Sequence, residues 1–383
     1  MIFIGIWIVF VIAAFLIACG FLHIQKKNVP YVFLVNVIHY SFAWVFLSFS
    51  EGQINDSFNY YTWAVDGLDF GYTGTGFIVT IVKVFLWLGI SDYFIVFLFF
   101  STLSNLAILV LFNYLLNKNK NGHYSIDIIL FCCFLLPGLH FWTVSIGKDS
   151  ISIVLIALMI IASFERKFII LSLLFIALFV VRSHIALLLG SSFGLFVFLY
   201  VKIGRFSHGV VRIILTVLSI PVFALALSYV LSIVQKYSSV GFDSLGDFIA
   251  DRQNVYASTD AGAILVGQPY IIKIFAQIFG AIPWLSMNVL TFVSLMEGVV
   301  IFILLLYSFK LFFLHKNKSN DNNRVCQFWI LFVITFILFM PIISTNLGIM
   351  VRMRVMIYLP VFVVVFYLLQ DRYLFKIKRK SYV

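Results

Sequence analysis

Charge is what this sequence has least of. Only 11% of its 383 residues are Asp, Glu, Lys or Arg, against 63% apolar, and the mean hydropathy is +1.10. Soluble domains carry about a quarter charged and about half apolar residues, so a soluble globular protein is excluded. Long polar stretches are also lacking. The longest pieces between apolar runs, 51–75 and 235–270, are too short for a separate nucleotide-binding or catalytic domain, and any chemistry must sit in the membrane or at its surface. Cysteine is scarce as well: Cys19, Cys132, Cys133 and Cys326 all lie in apolar runs without metal-ligand spacing and read as packing residues. Leu16-Ile17-Ala18-Cys19 has the form of a lipoprotein cleavage box, but Met1 to Trp7 lacks the positive charge of an export signal, and processing there is not expected. The histidines form no HxxxH or His/Asp cluster, so neither a metal site nor a cofactor is expected. The net charge of +11 is scattered through short connectors with no basic stripe interleaved with aromatics, which argues against nucleic acid.

What is present in abundance is apolar sequence in span-length runs. These are 2–22, 31–50, 93–116, 126–144, 150–163, 168–181, 185–202, 210–234, 288–314, 325–345 and 351–370. The expected fold is all-α, a single polytopic transmembrane domain over 1–383 with about eleven transmembrane helices. Two shorter stretches, 76–90 and 271–286, are broken by Gly or Pro and carry Lys83 and Lys273, as suits re-entrant or interfacial helices. If neither crosses, one side of the membrane receives 18 of the 26 basic residues and only Asp127, Glu165, Asp321 and Asp371 as acids. That side is expected to be cytoplasmic, with the C-terminus inside and the N-terminus and loops 51–75 and 235–270 outside.

The outer side then holds Lys83, Lys148, Arg182, Lys236, Arg252, Lys273, Arg352 and Arg354. Charge in apolar surroundings costs roughly 2.5–3.5 kcal/mol even on the lenient insertion scale, and a shared anionic ligand would account for it. In Gly147-Lys148-Asp149-Ser150 a glycine ends one span and an Asp-Ser pair opens the next. Two readings stand: Lys148 and the helix N-terminus favour an anion, or Asp149 caps the helix and pairs with Lys148. The segment is not a P-loop, because the glycine-rich approach is missing. Arg352 and Arg354 follow a break at Asn346-Leu347-Gly348 and, two apart, point about 200° from each other on a helix, so one can hold phosphate while the other pairs elsewhere or both reach lipid headgroups. Arg182-Ser183-His184 puts an arginine and a histidine at one membrane-embedded corner. His184 is a candidate general base, as is His140 after Pro137-Gly138, and each is equally a hydrogen-bonded structural histidine.

In the loops, Asp243, Asp247 and Asp251 recur at four-residue steps, as one solvated helix face does, beside Arg252 and Asp260. Loop 51–75 mixes Asp56, Asp66 and Asp69 with Tyr60, Tyr61 and Trp63, a composition shared by sugar-binding surfaces and interfacial aromatic belts.

These residues resemble a known family. The Asp/Tyr-rich first outer loop, Phe141-Trp142 near Gly147-Lys148-Asp149-Ser150, Arg182-x-His184, a large outer loop with Arg252 and Asn346-x-Gly348-x-x-x-Arg352-x-Arg354 are similar to the Wzy and EpsG-like polysaccharide polymerases. The resemblance implies a GT-C-like membrane glycosyltransferase of the bacterial inner membrane, with its site facing the periplasm or cell exterior. Its partners would be undecaprenyl-diphosphate-linked oligosaccharide as donor and acceptor, and a chain-length regulator in the membrane. Lys148, Arg182, Arg252, Arg352 and Arg354 would hold the leaving diphosphate without a metal. His184, His140 and Asp149, in that order, would serve as base. Loop 51–75 aligns with no acidic motif of the family. The alternatives are a lipid-linked oligosaccharide flippase, whose class shows internal repeats that this sequence lacks, and an O-antigen ligase. Neutralising one of the arginines is expected to leave the protein level near normal.

Overall fold

A computed structural model of the chain describes residues 2–22, 24–50, 55–119, 124–200, 264–265, 267–281, 289–314, 321–344 and 346–380. Among them the regular structure is helical with no strand, and seven helices are long and apolar enough to cross a membrane. The protein is an all-helical, multi-pass membrane protein. The expected span 210–234, together with Lys236, Asp243, Asp247, Asp251, Arg252 and Asp260, lies outside the described residues. The chain divides into two compact units, one running to Arg182 and resuming at Leu369, the other from Ser183 to Leu368.

The first unit contains α1 (Ile2–Leu22), α2 (Val29–Ser50), α3 (Asp56–Val65), α4 (Thr75–Trp87), α5 (Tyr93–Lys118), α6 (Tyr124–Phe134), α7 (Pro137–Phe141), α8 (Lys148–Phe164) and α9 (Phe168–Val181). The side chain of Asp92 starts α5 by accepting from the Ile95 amide, and α5 then packs against α1, α2 and α8. Lipid is as apolar as the helices, so polar contacts help to hold them together. Asn105 donates to Asn36 Oδ1 at 2.7 Å and Asn36 to the Val11 carbonyl at 3.1 Å, while Trp7 donates to the Tyr40 carbonyl at 3.0 Å.

The run 126–144, expected as one span, is broken. Leu136, which precedes Pro137, is extended (φ −58°, ψ 124°), because the proline ring excludes helical backbone at the residue before it. Beyond the single turn of α7 the chain is non-helical from Trp142 to Gly147 and largely buried. Irregular backbone at membrane depth is tolerated only inside protein. Here the Ile146 amide donates to Ser57 Oγ at 3.1 Å, and the Thr143 carbonyl accepts from Ser104 at 2.8 Å.

Helix α4 has 13 residues, about 20 Å of length against about 30 Å of hydrocarbon, so it is too short to cross. Its Lys83 donates to the carbonyls of Gly67 (3.3 Å) and Leu68 (2.8 Å), fastening α4 to the end of α3. One of the eight cations expected on the outer side is therefore used inside its own hairpin. At that end of the unit the Gly74 amide donates to the Val180 carbonyl at 2.8 Å. At the other end Lys118 meets Glu165 at 2.9 Å, and Gln370 donates to the Lys118 carbonyl at 2.8 Å. The Lys118 ammonium, and then the Tyr114 hydroxyl, hold the Glu165 carboxyl below its ordinary value. Lys118, Glu165 and Gln370, from three stretches expected on one side of the membrane, thus meet at one end of the first unit. With the four cysteines replaced, Asp69→Cys is expected to react with an impermeant maleimide in intact cells and Lys167→Cys only after lysis; the reverse pattern would overturn the orientation.

The second unit contains α10 (Ser183–Tyr200), α11 (Tyr270–Phe279), α12 (Val289–Leu314), α13 (Asp321–Ile343), α14 (Leu347–Arg354), a 3-10 turn (Val355–Ile357) and α15 (Tyr358–Lys380), whose last residues belong to the first unit. Helix α10 packs on α13, with Ser192 and Thr335 bonded at 2.6 Å. Helix α11 spans only ten residues and stops at Gly280, which takes the left-handed conformation (φ 67°) open to glycine. It too is shorter than a crossing, as expected for the region 271–286.

Candidate functional site

In the first unit the residues proposed for chemistry gather where α8 begins and α9 ends. Gly147 occupies the cap position of α8 with extended backbone and no side chain to offer, so Asp149 is not the cap. The first turn is tied instead by Ser150 Oγ donating to the Gly147 carbonyl (2.8 Å) and Ser152 Oγ to the Lys148 carbonyl (2.6 Å). The Lys148 side chain is half-buried. Its Nζ donates to Thr75 Oγ1 at 3.2 Å and lies 5.9 Å from the centre of the Tyr60 ring. Both partners come from the α3–α4 hairpin, so the aromatic first loop serves here as a seat for the lysine.

Asp149 is fully buried, and its Oδ1 accepts from Arg182 Nη2 at 2.5 Å. Arg182 is itself 6% exposed and closes α9, its amide donating to the Leu178 carbonyl at 2.7 Å. The negative member sits in the first turn of α8, where the helix dipole favours it. This pairing runs against the expectation that neutralising one of the arginines leaves the protein level near normal, as far as Arg182 is concerned. Removing Arg182 leaves a buried carboxylate without its cation, which is far more costly than removing both charges. It also gives Asp149 the work of holding Arg182.

His140, the second candidate base, lies in α7 and is fully buried. Its Nε2 is 2.8 Å from the Phe134 carbonyl and its Nδ1 is 3.1 Å from Nδ1 of His39, so neither ring nitrogen is presented to a substrate. His184, the first candidate, is half-buried in the first turn of α10, in the second unit.

In the second unit Asn346 caps α14 by accepting from the Ile349 amide at 3.1 Å, and the two arginines then diverge as their spacing predicts. Arg352 is half-buried and Arg354 is completely buried. Arg354 donates through Nη1 to the Ile278 carbonyl (2.9 Å) and through Nη2 to the Ser294 carbonyl (3.0 Å) and hydroxyl (2.9 Å). Glu297 Oε2 lies 3.6 Å from the same nitrogen and also accepts from the Tyr358 hydroxyl at 3.3 Å. Arg354 thus satisfies the carbonyl end of α11 and joins it to α12. Of the two arginines, Arg352 is the one left on the more open face.

Glu297 escapes a reading by hydropathy, because one acid in a 26-residue apolar helix barely lowers the average. The available signal was the acid itself: a carboxylate inside a span is costly and calls for a partner. Its neighbour Gly298 matters for the same contact. A Cβ there would stand 2.4 Å from the Phe279 Cα and 2.8 Å from Arg354 Nη1. Gly298→Ala is therefore expected to destabilise the protein by about 1–3 kcal/mol through overpacking, read as a lower melting temperature in detergent. An unchanged melting temperature would show that α11 and α12 do not meet this closely.

Among the described residues no group of three or more His, Cys, Asp or Glu side chains gathers as a metal site would require. Comparison with protein-family models, with curated proteins and with solved structures gives no match to this chain.

Proposed function

We propose that the protein is a membrane glycosyltransferase that joins undecaprenyl-diphosphate-linked oligosaccharide repeat units into O-antigen, capsular or exopolysaccharide at the outer face of a bacterial inner membrane. The observation that carries this reading is the placement of Lys148 in the first turn of α8, next to the buried Asp149–Arg182 pair and seated on Tyr60 and Thr75. A cation at a helix N-terminus supplies both a charge and free amide groups to an anion, and a departing diphosphate is such an anion. In the second unit, Arg352 is half-buried on α14 and carries a planar fork of the kind that matches phosphate oxygens. In the reaction the bond from the anomeric carbon to the diphosphate oxygen breaks, and a bond from that carbon to an acceptor hydroxyl forms. The hydroxyl proton passes to a base, for which His184 is the candidate.

A second reading, transport of the lipid-linked oligosaccharide, draws on the break between α6 and α7, since transporters build substrate sites on interrupted helices. Purified protein in liposomes with a lipid-linked repeat unit separates the two. Longer glycans on the lipid would support the polymerase, whereas movement of unextended substrate between leaflets would support the transporter.

A further inference from the structure

Ser57 lies in the first turn of α3 but does not cap it. That task falls to Asn55, whose side chain accepts from the Phe58 amide at 2.9 Å. The Ser57 side chain is buried and turned to another part of the chain: its Oγ accepts from the Ile146 amide, 89 residues away, at 3.1 Å and shares a hydrogen bond of 3.0 Å with the Tyr93 hydroxyl at the start of α5. Ile146 stands in the Trp142–Gly147 turn, two residues before Lys148. Among the described residues its amide is the one between Val144 and Gly147 that makes a hydrogen bond. The turn has no helical ladder to fix its backbone, so this tether decides where the first residue of α8 stands. We propose that Ser57 is a positioning residue for Lys148, holding through the Ile146 amide the turn from which the lysine meets the diphosphate. The proposal rests on the reading that Lys148 binds that group.

The same hairpin holds both ends of the lysine. Ser57 and Tyr60 are three apart on α3 and so share a face. Ser57 takes the backbone before Lys148, while the Tyr60 ring, with its centre 5.9 Å from Nζ, and Thr75 Oγ1, at 3.2 Å, take the ammonium. The hairpin is itself well anchored. Tyr61 donates from its hydroxyl to the Ser91 carbonyl, Lys83 ties α4 to the end of α3, and the Gly74 amide joins the hairpin to the Val180 carbonyl, two residues before the arginine that pairs with Asp149. Alanine at 57 would leave the Ile146 amide buried without its acceptor, and the turn would have to move for that amide to find another. A shift of about 1 Å in a group that acts on the reacting atoms can cost about 100-fold in rate.

The affinity of the protein in nanodiscs for undecaprenyl diphosphate tests this, measured for Ser57→Ala, for Lys148→Met and for the two together. Lys148→Met should weaken binding. Ser57→Ala should weaken it as well, by roughly 2- to 100-fold, the range for residues that act together, and should add little once the lysine is gone. An equal loss from Ser57→Ala with and without the lysine would overturn the positioning role and leave the diphosphate reading standing, because a merely structural effect does not depend on Lys148. Unchanged binding in Lys148→Met would instead take the diphosphate away from this lysine, and the role of Ser57 with it. Tyr93→Phe keeps the acceptor for Ile146 and should bind nearly as the wild type does; a loss as large as that of Ser57→Ala would show that the bond to Ile146 is not what matters. If Ser57→Ala is not produced, Ser57→Cys, close in size but with a sulfur that accepts only weakly, takes its place in the same comparison.

Discussion

Lys148→Met is expected to abolish long polysaccharide chains in a strain lacking the wild-type gene, with the protein itself present at close to the normal level. The side chain is half-buried and seated on Thr75 and Tyr60, and under the proposed function its loss removes a contact to the diphosphate. Arg352→Lys sharpens the test. It retains charge on α14 but loses the planar fork, and a lysine cannot reproduce bidentate contact with phosphate. A transition-state contact of this kind is worth about 2.7–4 kcal/mol, or roughly 100- to 1,000-fold in rate. Gel ladders at matched expression measure it. Wild-type ladders from both variants would remove the diphosphate-binding assignment from these residues and put the transport reading ahead.

The second large effect falls on stability. Arg182→Met leaves the Asp149 carboxylate buried without its cation, and breaking a buried pair from one side costs about 3–5 kcal/mol. Protein level and melting temperature should both drop. The double variant Asp149→Leu/Arg182→Met removes both charges and should recover most of that loss, since replacing a buried pair by apolar groups is often neutral or better. Activity distinguishes the roles. If Arg182 also touches the diphosphate, the double variant will be stable and inactive. If Arg182 only supports the turn that carries Lys148, long chains will return with the stability. A single variant as stable as the wild type would show that the pair is not buried.

Much of this architecture was legible in the residues themselves. Apolar runs of about twenty residues report helices in lipid because unpaired backbone cannot be exposed there. The distribution of lysine and arginine anticipated that Lys118, Glu165 and the region of Gln370 share one end of the first unit, and the embedded lysines correctly set 76–90 and 271–286 apart from the long helices. Pro137-Gly138 lies inside a run that reads as one span, yet it ends a helix outright, because extended backbone at Leu136 is followed by a buried turn whose Ile146 amide finds Ser57. Local sequence shows that a proline disfavours helix but not whether a neighbour is placed to accept the freed groups.

The partners of the charged and polar groups were decided by tertiary structure. Arg182 and Asp149 lie 33 residues apart and His39 and His140 lie 101 apart, and Arg354 finds Glu297 and the end of α11 from another helix. In uniformly apolar helices the hydrophobic pattern does not say which face turns inward, so it cannot say which polar side chains meet. The sequence by itself determined that the chain is helical, spans a membrane several times and carries costly charges. Only packing decided which of those charges pair, Asp149 with Arg182 and Arg354 with Glu297, and how deeply each one is buried.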